Sequence, residues 1–148
     1  MSSSKYTLSS QELQTLSSKA IAAKAMAYCP YSKFRVGACV LTQSGEYIVG
    51  ANVENAAYPV GTCAERVAFG TAVVAGHHDF KAVAVATDSK PPASPCGMCR
   101  QFINEFTTPS FPVYMYDSEG NYAMKTMREL LPDSFGPRDF PAERVPSS

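Results

Sequence analysis

The sequence has 148 residues, of which 45% are hydrophobic and 18% are charged, and this composition excludes collagen-like and disordered chains. The length favours one domain over residues 1–148. Because 13 Lys and Arg balance 13 Asp and Glu, the zero net charge argues against a nucleic-acid polymer or a membrane as the partner. Apolar stretches are too short for a membrane span and the first eleven residues are too polar for a signal peptide, so we expect a soluble, cytoplasmic protein.

A capping box at Ser9 and Glu12 predicts a helix that runs to about Ala27. Its buried face is expected to carry the apolar residues at helical spacing, Leu13, Leu16, Ala20 and Ile21. Residues 36–42 and 47–53 then predict two strands, and the short Gln-Ser-Gly turn between them suits a β-hairpin.

A second capping box, Thr62 with Glu65, predicts a helix that Gly76 ends. The Val/Ala run at 80–87 predicts a buried strand, and Ser94 with Pro95 predicts the N-cap and first residue of another helix to about residue 106. The last predicted elements are a strand at 113–116, a turn at 117–120, a strand at 122–125, a short helix at 126–131 and a surface tail from residue 132. This order predicts an α/β layer fold with a mixed sheet.

Five cysteines, at positions 29, 39, 63, 96 and 99, are an odd number without a secretory signal, so a disulfide framework is a poor interpretation. Cys96 and Cys99 share one face at the start of a predicted helix, where the helix dipole favours thiolates. Their Cys-x-x-Cys spacing also suits a redox pair. Cys63 and Glu65 start another predicted helix and supply a third thiol and an acid, so a metal site is favoured. A redox pair would leave Cys63 without a role, and Cys29 and Cys39 are expected to be small buried residues.

Cys-Ala-Glu-Arg at 63–66 and Pro-Cys-x-x-Cys-Arg-Gln at 95–101 resemble the two signatures of the zinc-dependent cytidine deaminases. Residues 28–34, 52–58 and 130–136 are similar to stretches of the small free-nucleoside members. Arg35, where relatives often carry proline, and Met98 are less typical. The resemblance implies a three-layer fold with a mixed five-stranded sheet and helices on both faces. It also implies one catalytic Zn²⁺ per chain and a homotetramer.

The resemblance implies hydrolytic deamination of free cytidine and deoxycytidine to uridine and deoxyuridine, as in pyrimidine salvage. It implies that Cys63, Cys96 and Cys99 hold the zinc and leave the fourth position for the water that attacks C4 of the base. It also implies that Glu65 is the proton shuttle, which takes the proton of this water, delivers it to N3 and helps ammonia leave. A plain capping glutamate is the alternative for Glu65.

A Zn²⁺ ion with three thiolate ligands has a net charge of about −1, and a nearby cation would compensate this charge. Arg66 is the candidate, because a cation early in a helix opposes the dipole and needs a local anion. The resemblance implies that Arg66 hydrogen-bonds the thiolates, with Gln101 as a further supporting group. A solvated surface arginine is the alternative.

The substrate-binding residues come from the resemblance alone. It implies that Phe34 stacks on the pyrimidine and that Asn52 and Glu54 bind the ribose hydroxyls. By composition, Phe34 would more often belong to the core, and the other two to a solvated strand end. The remaining implied roles are base-edge recognition by the backbone of Cys63 and Ala64, and contribution to a neighbouring subunit's site by Tyr58 and Phe135.

Two other interpretations remain open at this point. A closed structural zinc module with three cysteines and a histidine would act as an interaction domain, but His77 lies 14 residues beyond Cys63 on one predicted helix, or ~21 Å away. A deaminase acting on polynucleotides or on a nucleoside antibiotic would keep the chemistry and change the substrate. The four residues 117–120 can close an antiparallel hairpin and cannot form a parallel crossover. The resemblance implies that polynucleotide deaminases tend to have a helix at this place, so the short turn favours the free-nucleoside enzyme.

Overall fold

A computed structural model describes residues 5–141 of the chain. The strands are β1 (Val36–Thr42), β2 (Tyr47–Ala51), β3 (Phe80–Thr87), β4 (Pro112–Tyr116) and β5 (Tyr122–Thr126). The α-helices of this range are α1 (Ser10–Ala23), α2 (Ala64–Val74), α3 (Gly97–Glu105) and α4 (Met127–Leu130), and short 3₁₀ helices span Lys24–Met26, Tyr58–Val60 and Pro137–Asp139. The end of the predicted surface tail, residues 142–148, lies outside the described residues.

The five strands form one sheet in the order β2-β1-β3-β4-β5. β3 and β4 are parallel, and the other three neighbouring pairs are antiparallel. A parallel pair needs a crossover connection, which α3 provides. β4 and β5 are joined by a tight turn as predicted, so the mixed five-stranded sheet is confirmed.

Helices cover both faces of the sheet. Alternate residues of β1 enter two separate cores, because successive side chains of a strand point to opposite faces. Ala38 and Val40 pack in the core that includes α2 and α3, whereas Cys39 and Leu41 pack with Leu16 of α1. This arrangement confirms the predicted three layers.

A close contact sets the height of α2 above the sheet. A Cβ atom at Gly50 would lie 2.5 Å from the backbone nitrogen of Ala68 and 2.6 Å from the carbonyl oxygen of Ala64. Only glycine in β2 lets the helix backbone come this near. Because Ala64 is the first residue of α2, this contact positions the helix turn that carries the candidate catalytic residues.

Both predicted N-caps in the signature region are wrong. α2 begins after Cys63 rather than Thr62, whose backbone N–H and C=O are held by Val53 in a β-bridge, so Glu65 is not the acid of a capping box. α3 begins after Cys96, two residues later than predicted from Ser94 and Pro95. Each helix therefore starts at a thiol.

The first helix differs from its prediction at two points. The capping box at Ser9 and Glu12 is confirmed, but the α-helix ends at Ala23 and continues only as a 3₁₀ turn to Met26. Ile21 is exposed, because the face of α1 that packs on the sheet consists of Leu16, Ala20 and Ala23.

Candidate metal centre and active site

Three sulfur atoms converge where α2 and α3 begin. Cys63 and Cys96 are the N-cap residues of these helices, and Cys99 lies one turn into α3. The three Sγ atoms all lie within 4.8 Å of one another, and those of Cys63 and Cys96 are 3.8 Å apart. Two helix N-termini thus present three thiols and their positive dipole ends to one point.

This donor set fits a zinc ion. Two sulfurs at the usual Zn–S distance of ~2.3 Å in a tetrahedral site lie about 3.8 Å apart, which matches the spacing of Cys63 and Cys96. Three protein ligands leave one tetrahedral position for water or substrate, which is the pattern of catalytic sites. Residues 5–141 contain no other group of three or more such ligand side chains close enough to hold a metal.

The protonation of Cys63 and that of Cys99 depend on each other. A hydrogen bond from Cys99, together with the Arg66 guanidinium, lowers the pKa of the Cys63 thiol to about 5. The neighbouring Cys63 sulfur and burial raise the pKa of Cys99. Ionisation of Cys63 therefore disfavours ionisation of Cys99, and a cation bound between the two sulfurs would favour the thiolate form of both.

Arg66 lies against the sulfurs and is not a solvated surface residue. Its Nη2 donates to Cys63 Sγ at 3.6 Å. Its Nε is buried and finds no acceptor among residues 5–141. A guanidinium beside the sulfurs offsets part of the net negative charge that three thiolates would give a zinc site.

Glu65 is buried beside the sulfurs on the first turn of α2. Its exposed fraction is 4%, and burial raises the pKa of its carboxyl to about 7. Glu65 lines the same cavity as Cys63 and Cys96, so the acid and two of the three thiols face one space. A buried acid is suited to exchanging a proton near neutral pH.

The cavity that holds this site has a volume of about 290 Å³. Its wall includes Phe34, Asn52 and Glu54 together with Cys63, Glu65 and Cys96. Phe34 is 41% exposed and lines the cavity, so the alternative that it belongs to the core is wrong. The structure thus gathers three of the expected substrate-binding side chains around the candidate metal site.

Asn52 and Glu54 also hold the loop that carries Phe34. Asn52 Oδ1 accepts from the backbone N–H of Val36 at 2.9 Å, and its Nδ2 donates to the carbonyl of Phe34 at 2.8 Å. Glu54 Oε1 accepts from the backbone N–H groups of Tyr31 and Ser32, both at 3.1 Å. The Ser32 hydroxyl donates to Glu54 Oε2. These bonds lower the pKa of Glu54, which is ionised near neutral pH.

Four other residues are expected from the sequence to belong to the site: Ala64, Tyr58, Phe135 and Gln101. Ala64 is buried at the first position of α2, where backbone N–H groups have no carbonyl partner inside the helix. Tyr58 lines a neighbouring cavity of about 230 Å³, and Phe135 is exposed with its ring against Phe140. Gln101 donates its side-chain amide to the carbonyl of Phe135 at 2.9 Å, and the structure does not bring it to the sulfurs.

Sequence reasoning missed part of the cavity wall. Ala93 and Ser94 line it from the loop after β3, and Thr87 and Val85 line it from the strand itself. Ser32 also lines it and holds Glu54. The Tyr-Ser-Lys-Phe stretch contained the signal for Ser32, whereas nothing local in the sequence marks the loop residues.

His77 does not join the cysteines. Its Nε2 lies 3.2 Å from a carboxylate oxygen of Glu46 in the β1–β2 turn. A closed site with three cysteines and this histidine is therefore not formed, which removes the basis of the interaction-module interpretation.

The sequence-family model described as the cytidine and deoxycytidylate deaminase zinc-binding region matches residues 10–115 of this chain. That range includes the three clustered cysteines, Glu65 and Arg66, and it covers more than half of the chain. The chain belongs to the cytidine and deoxycytidylate deaminase family.

Individual relatives agree with this placement. A cytidine deaminase of Sporosarcina psychrophila is 44% identical over 129 residues, covering 87% of this chain and 95% of the relative. A probable cytidine deaminase of Dictyostelium discoideum is 38% identical over 137 residues, or 92% of each chain. The crystal structure of a Burkholderia pseudomallei cytidine deaminase matches with a TM-score of 0.80 and 40% identity, covering 82% of this chain and 98% of that one.

We expect the purified protein to contain about one zinc per chain, because the three sulfurs form one tetrahedral site. Cys96→Ala should lose most of this zinc, since two thiols hold the ion far more weakly than three. Cys29→Ala is the matched control, because Cys29 lies outside the cluster, and it should keep the full content. Metal analysis by mass spectrometry measures both, and equal zinc in Cys96→Ala and wild type would contradict the assignment.

Proposed function

We propose that this protein deaminates free cytidine and deoxycytidine hydrolytically, giving uridine or deoxyuridine and ammonia. The observation that carries the proposal is a buried carboxyl, Glu65, sharing one cavity with the thiols of Cys63 and Cys96. An assay of cytosine absorbance with cytidine, deoxycytidine and a cytosine oligonucleotide tests it. Unchanged cytidine and deoxycytidine would refute the proposal, and turnover of an aminated nucleoside antibiotic instead would favour the antibiotic-deaminase alternative.

In this proposal, Cys63, Cys96 and Cys99 would hold a zinc ion, which would supply an activated water for attack on C4 of the pyrimidine. A carboxylate oxygen of Glu65 accepts the proton of the attacking water and delivers it to N3 of the base. The carboxylate then accepts a second proton, from the hydroxyl now bonded to C4, and passes it to the departing amine, so that the C4 carbonyl forms as ammonia leaves. Burial of Glu65 supports the role, because a carboxyl with a raised pKa can both accept and donate a proton near neutral pH.

The other residues bind and orient the nucleoside. Phe34 stacks on the base, and backbone groups of Cys63 and Ala64 contact its edge. Asn52 and Glu54 bind the ribose hydroxyls with the hydrogen-bonding capacity that the loop leaves free: one amide hydrogen of Asn52, and the fourth lone-pair site of the carboxylate. Arg66 stabilises the thiolates, and Gln101 supports the segment around Phe135.

Glu65→Gln is expected to keep zinc and fold while turnover falls by about 100-fold or more, because the amide preserves the shape and cannot carry the proton. Glu105→Gln, an exposed residue of α3, is the matched control and should retain full activity. Steady-state rates with cytidine, zinc content and thermal melting give the comparison. A Glu65→Gln enzyme with more than a tenth of the wild-type kcat would move the proton shuttle to another group.

Two features support a free nucleoside over a polynucleotide. β4 and β5 are antiparallel and joined by a short turn, whereas the resemblance implies a helix at this place in polynucleotide deaminases. The ionised Glu54 on the cavity wall would meet the 3′-phosphate of a polynucleotide, a like-charge contact that disfavours the longer substrate.

Cytidine 3′-monophosphate is accordingly expected to have a kcat/KM lower than that of cytidine by about ten-fold or more. Glu54→Gln should narrow this difference, because the amide removes the charge and can still accept from the two backbone N–H groups of the loop. Rates with both substrates and both proteins measure the ratio. Equal kcat/KM values for cytidine and cytidine 3′-monophosphate in the wild type would contradict this prediction and favour the polynucleotide alternative.

We also propose a homotetramer in which Tyr58 and Phe135 complete a neighbouring subunit's site. Both rings are exposed and each lies against another exposed aromatic ring, Tyr58 against Tyr31 and Phe135 against Phe140. Paired exposed aromatic rings of this kind suit an interface with a second chain. The proposed setting is pyrimidine salvage in the cytoplasm, and free metal-binding cysteines support a reducing compartment. No helix within residues 5–141 is both long and apolar enough to cross a bilayer.

Light scattering is expected to give a particle of about four times the 15.9 kDa chain mass. Phe135→Ala should weaken the assembly and lower activity together, because each site then lacks a ring from its neighbour. A fully active monomer at assay concentration would overturn this part of the proposal.

A further inference from the structure

An ion cluster outside the catalytic group lies beside the base-stacking residue. Arg35 directly follows Phe34, and its Nε and Nη2 donate to the two carboxylate oxygens of Asp88 at 2.9 and 3.2 Å. Asp88 directly follows Thr87, the last residue of β3 and part of the cavity wall. The pair therefore ties the loop that carries Phe34 to the sheet at the edge of the cavity.

A buried lysine anchors this pair. Lys24 is only 8% exposed, and its Nζ donates to Asp88 Oδ1 at 2.9 Å and to the Thr87 carbonyl at 3.4 Å. The Arg35 guanidinium and Lys24 lower the pKa of Asp88 to about 2, so its carboxyl is ionised near neutral pH. A buried cation thus holds the carboxylate in one place for Arg35 to bind.

The remaining restraints on Phe34 act on the backbone. Asn52 bonds the main chain of Phe34 and Val36, on both sides of Arg35. Phe34 N–H also donates to Ser32 Oγ at 3.0 Å. Arg35 is the residue between the two Asn52 contacts, and its side chain is the one that reaches across to β3. The Arg35–Asp88 pair therefore connects this loop to the end of β3, which the backbone bonds to Asn52 and Ser32 do not.

We propose that Arg35 is a positioning residue, which through its two-point contact with Asp88 holds the Phe34 ring at the angle that stacks on the substrate base. This inference rests on the proposed function, because stacking by Phe34 belongs to it. Lysine could not replace arginine fully, since a planar guanidinium fits both carboxylate oxygens and an ammonium does not.

The expected effect is on binding. Both side chains are partly exposed, Arg35 at 46% and Asp88 at 42%, so the pair contributes modestly. Arg35→Met should raise KM for cytidine roughly two- to five-fold with kcat nearly unchanged. The dissociation constant for uridine, measured by calorimetry, should rise by the same factor, and Arg35→Lys should lie between wild type and Arg35→Met.

The matched control is Lys5→Met. It breaks the Lys5–Asp79 pair, whose N–O distance is 3.0 Å and whose Lys5 side chain is 44% exposed, at the opposite end of β3. This variant should leave KM and the uridine dissociation constant unchanged. A small drop in melting temperature is expected for both variants and does not distinguish them.

The decisive comparison is made in a Phe34→Ala background. If Arg35 acts through the ring, Arg35→Met adds no further rise in KM once the ring is absent. An additional rise of the same size in that background would show that Arg35 acts on the substrate or the fold by another route and would overturn the inference. Unchanged KM in Arg35→Met alone would also overturn it. A wild-type protein that leaves cytidine intact refutes the proposed function itself, so the two failures are distinguishable.

Discussion

The site depends on the meeting of two helix N-termini at the carboxyl end of β3. α2 lies directly on β2 because Gly50 lets its backbone approach, and α3 is the crossover between parallel β3 and β4. Both helices begin at a cysteine, so the sulfurs are positioned by packed secondary structure rather than by flexible loops. Moving either helix by an ångström would change the sulfur separation and lose the tetrahedral fit.

Electrostatics explains why this arrangement is viable. Three thiols and the carboxyl of Glu65 are crowded together, and burying several like charges without partners would be costly. Two helix dipoles and the Arg66 guanidinium offset part of this charge, and a divalent cation offsets most of the rest. Burial is the main cause of the raised pKa of Glu65, and the neighbouring Cys63 sulfur adds to it, so the acid beside the thiols can exchange protons near neutral pH.

Local patterns in the sequence predicted most of the fold and the centre of the site. Turn residues and short apolar runs located the strands to within two residues at each end. Cysteine spacing and the apparent helix starts located the three thiols that the structure brings together. The errors come from long-range contacts: Thr62 is held by Val53 in a β-bridge, so α2 begins one residue later than its apparent capping box. The Arg35–Asp88 pair has the same origin, because its partners are 53 residues apart and no periodicity connects them.

In the proposed function, side chains that hold the loop carrying Phe34 also bind the substrate. Glu54 already accepts three hydrogen bonds from this loop, and a carboxylate has about four acceptor positions, so one remains for a ribose hydroxyl. Removing Glu54 altogether would therefore release the loop and the substrate together. Glutamine keeps an acceptor for the backbone N–H groups, and the Ser32 hydroxyl can turn to accept from its amide. A charge-removing substitution at Glu54 thus separates the electrostatic effect on the substrate from the structural support of the loop, which a truncation cannot do.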